Sequence, residues 1–459
     1  MSASSLIEVA RRQLAADAPA KTVPLCTVLA QRLTDPGDPR GVRHALASLV
    51  SVLVAGVACG YTSMLAIAGA AAGWGQDVLA GHGCWRSPTT GRLVAPSTST
   101  LTRLSALLDA DELEAALSGW LAPVALAAQG TASESTRASA QHGSRQHTKR
   151  RRRKPPAGQA LRQTRADGWV RAAPGHPWLD PTRIGAPGHV PARSAVAVDG
   201  KERKRAKAGG QARVQLLAAI THGSGLVIGQ DRVAKTGKAN ETSHFRPLLA
   251  PLPLQDVLVT ADAIQTTRAN ARFLREVKHA HYLLPVLGNQ PRLFATLDAL
   301  DWDHTPIAAA TCDTARGRVE SRTLRVLPVP EGVDLPGAQQ AVLIERYVTV
   351  KKHGAWVLRN CEAVLYLTSL ATTQTSPADL LAGVRGHWRV EGPHWLPDVI
   401  WNEDKSLLRT GNAPQVMSAI TNLVTTLFRI QGVTKYAAET RRNAQNPSQV
   451  RQLLALSPG

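Results

Sequence analysis

Ser194-Ala-Val-Ala-Val-Asp199 is a short apolar run that ends on an acid, and the elements after it decide the fold. Val214 to Thr221 and Gly225 to Val233 read as two further strands, joined by a turn at His222-Gly223-Ser224. After Asn240-Glu241, the residues Phe245, Leu248 and Leu249 share one side of a helix. Asp256-Val-Leu-Val-Thr-Ala-Asp262 is a fourth strand, and it too ends on an acid. Thr266 to Lys278 has helical spacing, and Tyr282 to Leu287 reads as a fifth strand. The order is β-β-β-α-β-α-β.

Three hairpin-linked strands followed by alternating helix and strand predict an α/β, ribonuclease H-like fold, a mixed sheet with flanking helices. Residues 292–375 predict a β-rich insertion, because Ser321 to Val329, Gln340 to Val350, Ala355 to Leu358 and Glu362 to Ser369 alternate or carry β-branched runs. Helix returns at Ser376-Pro377-Ala378-Asp379, where Ser caps, Pro takes the first helical position and Asp complements the dipole. The core therefore spans 191–291 and 376–430. Residues 1–128 predict a helical amino-terminal domain, with helical spacing in Val42, Leu46, Leu49, Val50 and Leu53. A second helix there starts at Pro96-Ser97-Thr98 and continues through Leu101, Leu104, Leu107 and Leu108, and a third starts at Asp111-Glu112-Leu113-Glu114. Such a domain either binds DNA or only packs. Ala45 to Gly73 is the one membrane-like stretch; Ser48, Ser51, Thr62 and Ser63 interrupt it, and it reads as a pair of packed Ala-rich helices. Residues 129–190 form a linker whose first part lacks any apolar period, and 431–459 form a basic helical tail.

Charge names the class of partner. The 459 residues hold 54 Lys+Arg against 34 Asp+Glu, a net charge of +20, which suits a polyanion and above all nucleic acid. Arg150, Arg151, Arg152 and Arg153 stand between Lys149 and Lys154 in the linker, either neutralising phosphates or serving as a solvated tether. Lys201, Arg203, Lys204, Arg205 and Lys207 form a second cluster just past the first acid, either a phosphate contact or a solvated loop. Five scattered cysteines without CxxC spacing fit a reducing compartment, and Met1 to Asp17 has no apolar h-region, so a cytoplasmic protein is expected. A phosphate-loop reading fails because Ala239 follows Gly237-Lys238 and Arg232 stands where a glycine is needed. A zinc reading of His279 and His281 lacks partners.

Asp199 and Asp262 end strands, and Leu380, Val384, Trp388 and Glu391 recur at intervals of four, four and three, which puts Glu391 on the apolar face of its helix. A carboxylate there is costly unless it meets a cation. Three carboxylates at a sheet edge can hold two Mg²⁺ ions, with Mn²⁺ as a substitute. Each acid alone reads first as a solvated strand end or a helix cap, and that reading gives way only when three stand at these topological positions.

These residues resemble a known family. Ala197-Val198-Asp199-Gly200-Lys201, Val259-Thr260-Ala261-Asp262-Ala263 and Gly288-Asn289-Gln290-Pro291 carry the likeness, followed by Arg385-Gly386-His387-Trp388-Arg389-Val390-Glu391 and His394-Trp395. Asp398-Val399, Asn402-Glu403-Asp404 and Arg409-Thr410-Gly411-Asn412-Ala413-Pro414 complete it, and Asp35-Pro36, Asp38-Pro39-Arg40 and Pro96-Ser97-Thr98-Ser99-Thr100 extend it to the amino end. The chain is similar to bacterial insertion-sequence transposases of the DDE class, H-repeat-associated branch. The resemblance implies a metal-dependent enzyme that cuts transposon ends and joins 3′-hydroxyls to target DNA, with Asp199, Asp262 and Glu391 as the metal-binding triad. It also implies double-stranded DNA as partner, a homodimer in the synaptic complex, and no membrane association. Asn289 and Gln290 either contact DNA, orient the acids or cap the next helix; His387 either meets a phosphate or packs beside Trp388. The sequence departs from the family at Glu202-Arg203-Lys204-Arg205, at Leu287 and at Gly392-Pro393, where proline ends or kinks the helix after Glu391. Two other readings stay open: a derived DNA-binding protein without catalysis, and a ribonuclease H-type nuclease without strand transfer.

Overall fold

A computed structural model of the chain describes residues 25–37, 43–131, 193–202, 215–233, 241–315, 317–352, 355–389, 400–401, 408 and 410–450. The amino-terminal helices are α1 (Leu25–Arg32), α2 (Leu46–Ala58), α3 (Met64–Ala72), α4 (Gln76–Gly81), α5 (Thr98–Leu107) and α6 (Ala110–Thr131). Strands β1 (Ala195–Glu202), β2 (Gln215–Thr221) and β3 (Val227–Val233) follow, then α7 (Glu241–Leu249), β4 (Leu258–Ala261), α8 (Arg268–Arg272), β5 (His281–Val286) and α9 (Pro291–Asp298). The remainder comprises β6 (Ala309–Ala315), β7 (Arg318–Pro328), β8 (Gln340–Lys352), β9 (Ala355–Thr368), α10 (Pro377–Arg389), α11 (Ala413–Ile430) and α12 (Tyr436–Gln445). Five strands and their connecting helices thus follow one another in the order read from Ser194 onward.

The chain divides into two compact units, residues 1–131, 199–253 and 389–459 in one and 132–198 and 254–388 in the other. The first unit unites segments that the sequence assigns to the amino-terminal helices, the first part of the core and the tail. One apolar cluster joins Leu29, Leu53, Ile67, Leu101 and Leu113 to Ile420, Leu423, Leu427 and Phe428 of α11. Helices α2 and α3 are the two Ala-rich pieces of the 45–73 stretch, and no helix among the described residues is long and apolar enough to cross a membrane. Ser97 caps α5 by accepting the Thr100 N–H at 3.3 Å, as its position before the leucine stripe predicts.

The Thr410-to-Pro414 block has a structural task in this unit. Gly411 takes φ +52, and a Cβ there would lie 2.3 Å from the Ala106 carbonyl oxygen. Asn412 donates its backbone N–H to that same oxygen at 3.0 Å and its side-chain amide to Leu108 O at 3.0 Å. Pro414 then opens α11, where a missing N–H costs nothing. β2 and β3 pair antiparallel from Gln215↔Val233 to Ile220↔Val227 around the turn at 222–224.

The second unit is a mixed sheet in the order β1-β4-β5-β9-β8-β7-β6. β1, β4 and β5 run parallel, in registers that include Val198↔Ala261 and Thr260↔Leu283. β5 meets β9 antiparallel, and β9, β8, β7 and β6 continue as an antiparallel meander. All four residues of β4 are buried, as a strand covered on both faces requires. α10 lies against the sheet through Leu380, Leu381 and Val384, which share a cluster with Leu258, Leu283, Leu324, Val342 and Ile344. Its capping box is complete: Ser376 Oγ accepts the Asp379 N–H at 3.1 Å, and the Asp379 carboxylate accepts the Ser376 N–H at 3.1 Å.

Three local readings differ from the structure. The helix expected over 266–278 is a 3₁₀ turn (Ala263–Gln265), the short α8 and a π-helical turn (Phe273–Val277). Thr267 starts α8 afresh by accepting the Asn270 N–H, so the preceding turn cannot belong to it. The two runs 355–358 and 362–369 are one strand, because the β8 ladder pairs Asn360 and Cys361 as well as their apolar neighbours. The insertion also contains α9, amphipathic through the buried Phe294 and Leu297 but only two turns long, and β6, whose Ala-Ala-Thr-Cys-Asp-Thr-Ala has no apolar alternation.

Candidate functional site

By sequence both strands end on an acid; Asp262 does follow β4, but β1 continues past Asp199 to Glu202, so Asp199 marks only the end of the pairing with β4. Val198 is the last β1 residue in register with β4, facing Ala261, and each of these two residues is followed by an aspartate. Asp199 is half-buried and its Oδ1 accepts the Gly200 N–H at 2.9 Å. Asp262 directly follows β4, and the 3₁₀ turn begins immediately after it. It stands at the N-cap of that turn yet makes no side-chain capping bond, and its side chain is 65% exposed. Its carboxylate is therefore not spent on capping. Glu391 lies outside the described residues.

Above β4, α10 brings His387 to the same strand end. Nδ1 of His387 lies 3.1 Å from Thr260 Oγ1, and Nε2 lies 3.6 Å from Asp262 Oδ1. The neighbouring residues of this helix turn have their own partners on the insertion strands. Arg385 donates to Asp313 at 2.7 Å, and the Trp388 ring meets the guanidinium groups of Arg346 at 4.9 Å and Arg322 at 6.0 Å. Glu320 joins Arg318, Arg322 and Arg346 into one network. Burial works against the Glu320 carboxylate, but the Arg346 hydrogen bond and the three guanidinium charges outweigh it and hold the group below the usual carboxylate range.

Asn289 and Gln290 brace the loop behind Asp262. Asn289 Nδ2 donates to Ala263 O at 2.8 Å and Gln290 Nε2 donates to Thr266 O at 2.8 Å. Gln290 is the N-cap of α9, but its side chain makes no capping bond. The helix-capping reading is not what the Gln290 side chain does.

Lys201 lies in β1, with its side chain outside the described residues. Arg150, Arg151, Arg152, Arg153, Arg203, Lys204, Arg205 and Lys207 also lie outside them. Two sets of contacts escaped the sequence reading: that of Thr260, quoted there only as part of a motif, with His387, and those joining the arginines 318, 322, 346 and 385, which come from three separate elements. Only the two-residue alternation of Arg318, Glu320 and Arg322 was visible in advance.

Among the described residues no three His, Cys, Asp or Glu side chains form a metal-holding group. Asp199 and Asp262 nevertheless supply hard carboxylate oxygens, the donor type that Mg²⁺ and Mn²⁺ take, and the exposed Asp262 is open to a cation.

The DDE_Tnp_1-associated family model matches residues 28–121. The chain is 27% identical over 277 residues to "Putative transposase YncI" of Escherichia coli O157:H7, covering 57% of this chain and 68% of that protein. It is 27% identical over 288 residues to "H repeat-associated putative transposase YhhI" of Escherichia coli K12, covering 57% of this chain and 71% of that protein. A solved piggyBac transposase synaptic complex with hairpin DNA matches at TM-score 0.32 and 11% identity, over 57% of this chain and 54% of that one, too distant to bear on the fold.

Proposed function

The chain is related to the DDE-class insertion-sequence transposases of the H-repeat-associated branch, and we propose that it is a transposase that cuts phosphodiester bonds at transposon ends and transfers the 3′-hydroxyl to target DNA. One observation carries the proposal: the register that places an aspartate directly after Val198 and after Ala261, where the parallel pairing of β1 and β4 ends. The same parallel pair, inside the strand order β-β-β-α-β-α-β, supports a ribonuclease H-like catalytic fold.

In this reading Asp199, Asp262 and Glu391 hold two Mg²⁺ ions. When bound, such ions make a water or 3′-hydroxyl nucleophilic and stabilise the leaving oxygen. The protein's own task is placement. Asn289 and Gln290 fix the turn that follows Asp262 through two backbone carbonyls, so the carboxylate leaves the strand in one direction. The basic linker around Arg150–Arg153 and the Lys201–Lys207 cluster neutralise DNA phosphates, which suits a net charge of +20. Two DNA ends must be brought together before joining, so the working form is a homodimer on double-stranded DNA.

The test uses the purified full-length chain, a DNA fragment carrying the element's own ends, and Mg²⁺. Cleaved and target-joined products establish the proposal. Cleavage without joined products makes the protein a nuclease, and DNA binding without cleavage makes it a derived binding protein, with Gly392-Pro393 as the first positions to revert.

A further inference from the structure

The reading of Asp262 as a metal-holding carboxylate frames a second step: we propose that His387 is a positioning residue for Asp262, itself oriented by Thr260, and not a contact to a DNA phosphate. Side chains two apart on a strand share a face, so Leu258, Thr260 and Asp262 form one row on β4. α10 covers that row. A Cβ at Gly383 would lie 3.1 Å from Leu258 Cδ2 and 3.3 Å from Leu283 Cδ2, so the helix approaches closely there because it carries no side chain. One turn later in the helix comes His387, above the next two members of the row. Its ring nitrogens lie on opposite edges of a rigid ring, and each has a different partner: Thr260 Oγ1 at 3.1 Å from Nδ1, and Asp262 Oδ1 at 3.6 Å from Nε2.

The two contacts select a tautomer. If the Thr260 hydroxyl donates to Nδ1, the proton sits on Nε2 and faces the Asp262 oxygen. The opposite arrangement points a lone pair at a carboxylate. At 3.6 Å the N–H is in electrostatic contact with that oxygen and just outside hydrogen-bond distance; it favours one orientation of the carboxylate and leaves the other oxygen for a cation, as outer partners orient metal-holding groups. Exposure separates this role from phosphate binding. The His387 side chain is 15% exposed whereas Asp262 is 65% exposed, so the imidazole is packed into the fold and the carboxylate is the group that faces outward. Its neighbours do not compete for the strand end, since Arg385 is held by Asp313 and Trp388 by Arg346 and Arg322.

The experiment measures Mn²⁺ binding to the full-length protein without DNA, from the electron paramagnetic resonance signal of the free ion, alongside DNA affinity in EDTA at several salt concentrations. His387→Ala and Thr260→Val weaken Mn²⁺ binding about 10- to 100-fold. His387→Gln, which keeps an N–H donor, and Thr260→Ser recover most of it, and DNA affinity stays at the wild-type value throughout. Mn²⁺ affinity within twofold of wild type in both His387→Ala and Thr260→Val overturns the proposal. So does a loss of DNA affinity with a shallower salt slope in His387→Ala, the mark of a phosphate contact. Asp262→Asn is the control: if it binds Mn²⁺ like wild type, the metal-holding reading of Asp262 falls, whereas loss there without loss in His387→Ala removes only His387. Should His387→Ala fail to fold by circular dichroism, the isosteric Thr260→Val with its Thr260→Ser rescue decides the question.

Discussion

Asp199, Asp262 and Glu391 are three carboxylates whose meaning depends on what each is not already doing. Asp262 leaves its capping position unused, and that freedom is what a metal-holding role requires. Asp199→Asn, Asp262→Asn and Glu391→Gln are each expected to lower strand cleavage at least about 100-fold, because neutral amides hold Mg²⁺ poorly. Binding of end DNA in a gel-shift assay should stay within about twofold of wild type for each, since phosphate contacts carry that affinity. Glu114 on α6 is the opposite kind of acid. It is buried, accepts from Gln230 Nε2 at 2.9 Å, and its carboxyl is raised well above the usual range by burial and by the nearby Asp111 and Asp231, with the Gln230 bond opposing. The folded chain keeps this proton after the unfolded chain has lost it, so the stabilisation is complete below the unfolded pKa and is lost as pH rises through the folded one. Glu114→Gln should remove that pH dependence. Urea unfolding from pH 5 to 9 should show the wild type losing about 1.4 kcal/mol relative to the variant per pH unit across the window in which only the folded state is protonated.

Among the elements, the antiparallel meander β6–β9 shows best how pairing overrides local composition. Arg325 on β7 reaches diagonally to Glu345 on β8 at 2.6 Å, both buried, and Thr323, the residue opposite Glu345, donates its Oγ1 to the same carboxylate. Burial pushes the Glu345 carboxyl up to about 7, against the pull of Arg325. Arg325→Met strands the carboxyl without its cation and should cost about 3–5 kcal/mol in urea unfolding. The double variant Arg325→Met/Glu345→Leu should return to within about 1 kcal/mol of wild type, because an apolar pair of similar volume replaces the ion pair. A double variant as unstable as the single one would mean that the Thr323 contact and the Arg325 Nε bond to Thr305 O matter more than the ion pair.

At the scale of the whole molecule, the proposed function makes charge the governor of any encounter with DNA. In that reading a net charge of +20 acts through released counterions, and each neutralised phosphate contributes about 0.9 to the slope of log affinity against log salt. Replacing Arg150, Arg151, Arg152, Arg153 and Lys154 by Ser should weaken binding to every DNA sequence alike and flatten that slope by up to about 4. An unchanged slope would make the linker a tether. The two packing units also bear on any truncation. Residues 1–131 share a core with α11, so a fragment ending near residue 131 would expose Leu53, Ile67 and Leu113 to water.

The sequence by itself determined the elements whose signal is local. Apolar runs mark β1 and β4, and Ser97 and Ser376 announce α5 and α10. It also placed Asp262 at a strand end, whereas β1 runs past Asp199 to Glu202, because the polar residues after the apolar run still continue the extended chain. Tertiary structure decided everything that depends on partners distant in the chain. Asn360 and Cys361 became strand because β8 offered them a ladder, and Gln290 turned to Thr266 instead of capping α9. Thr260 became a partner of His387, 127 residues away. Hydrophobic period and capping act over one or two turns and can be read from neighbours, whereas a hydrogen bond between remote side chains exists only once the packed core has brought them together.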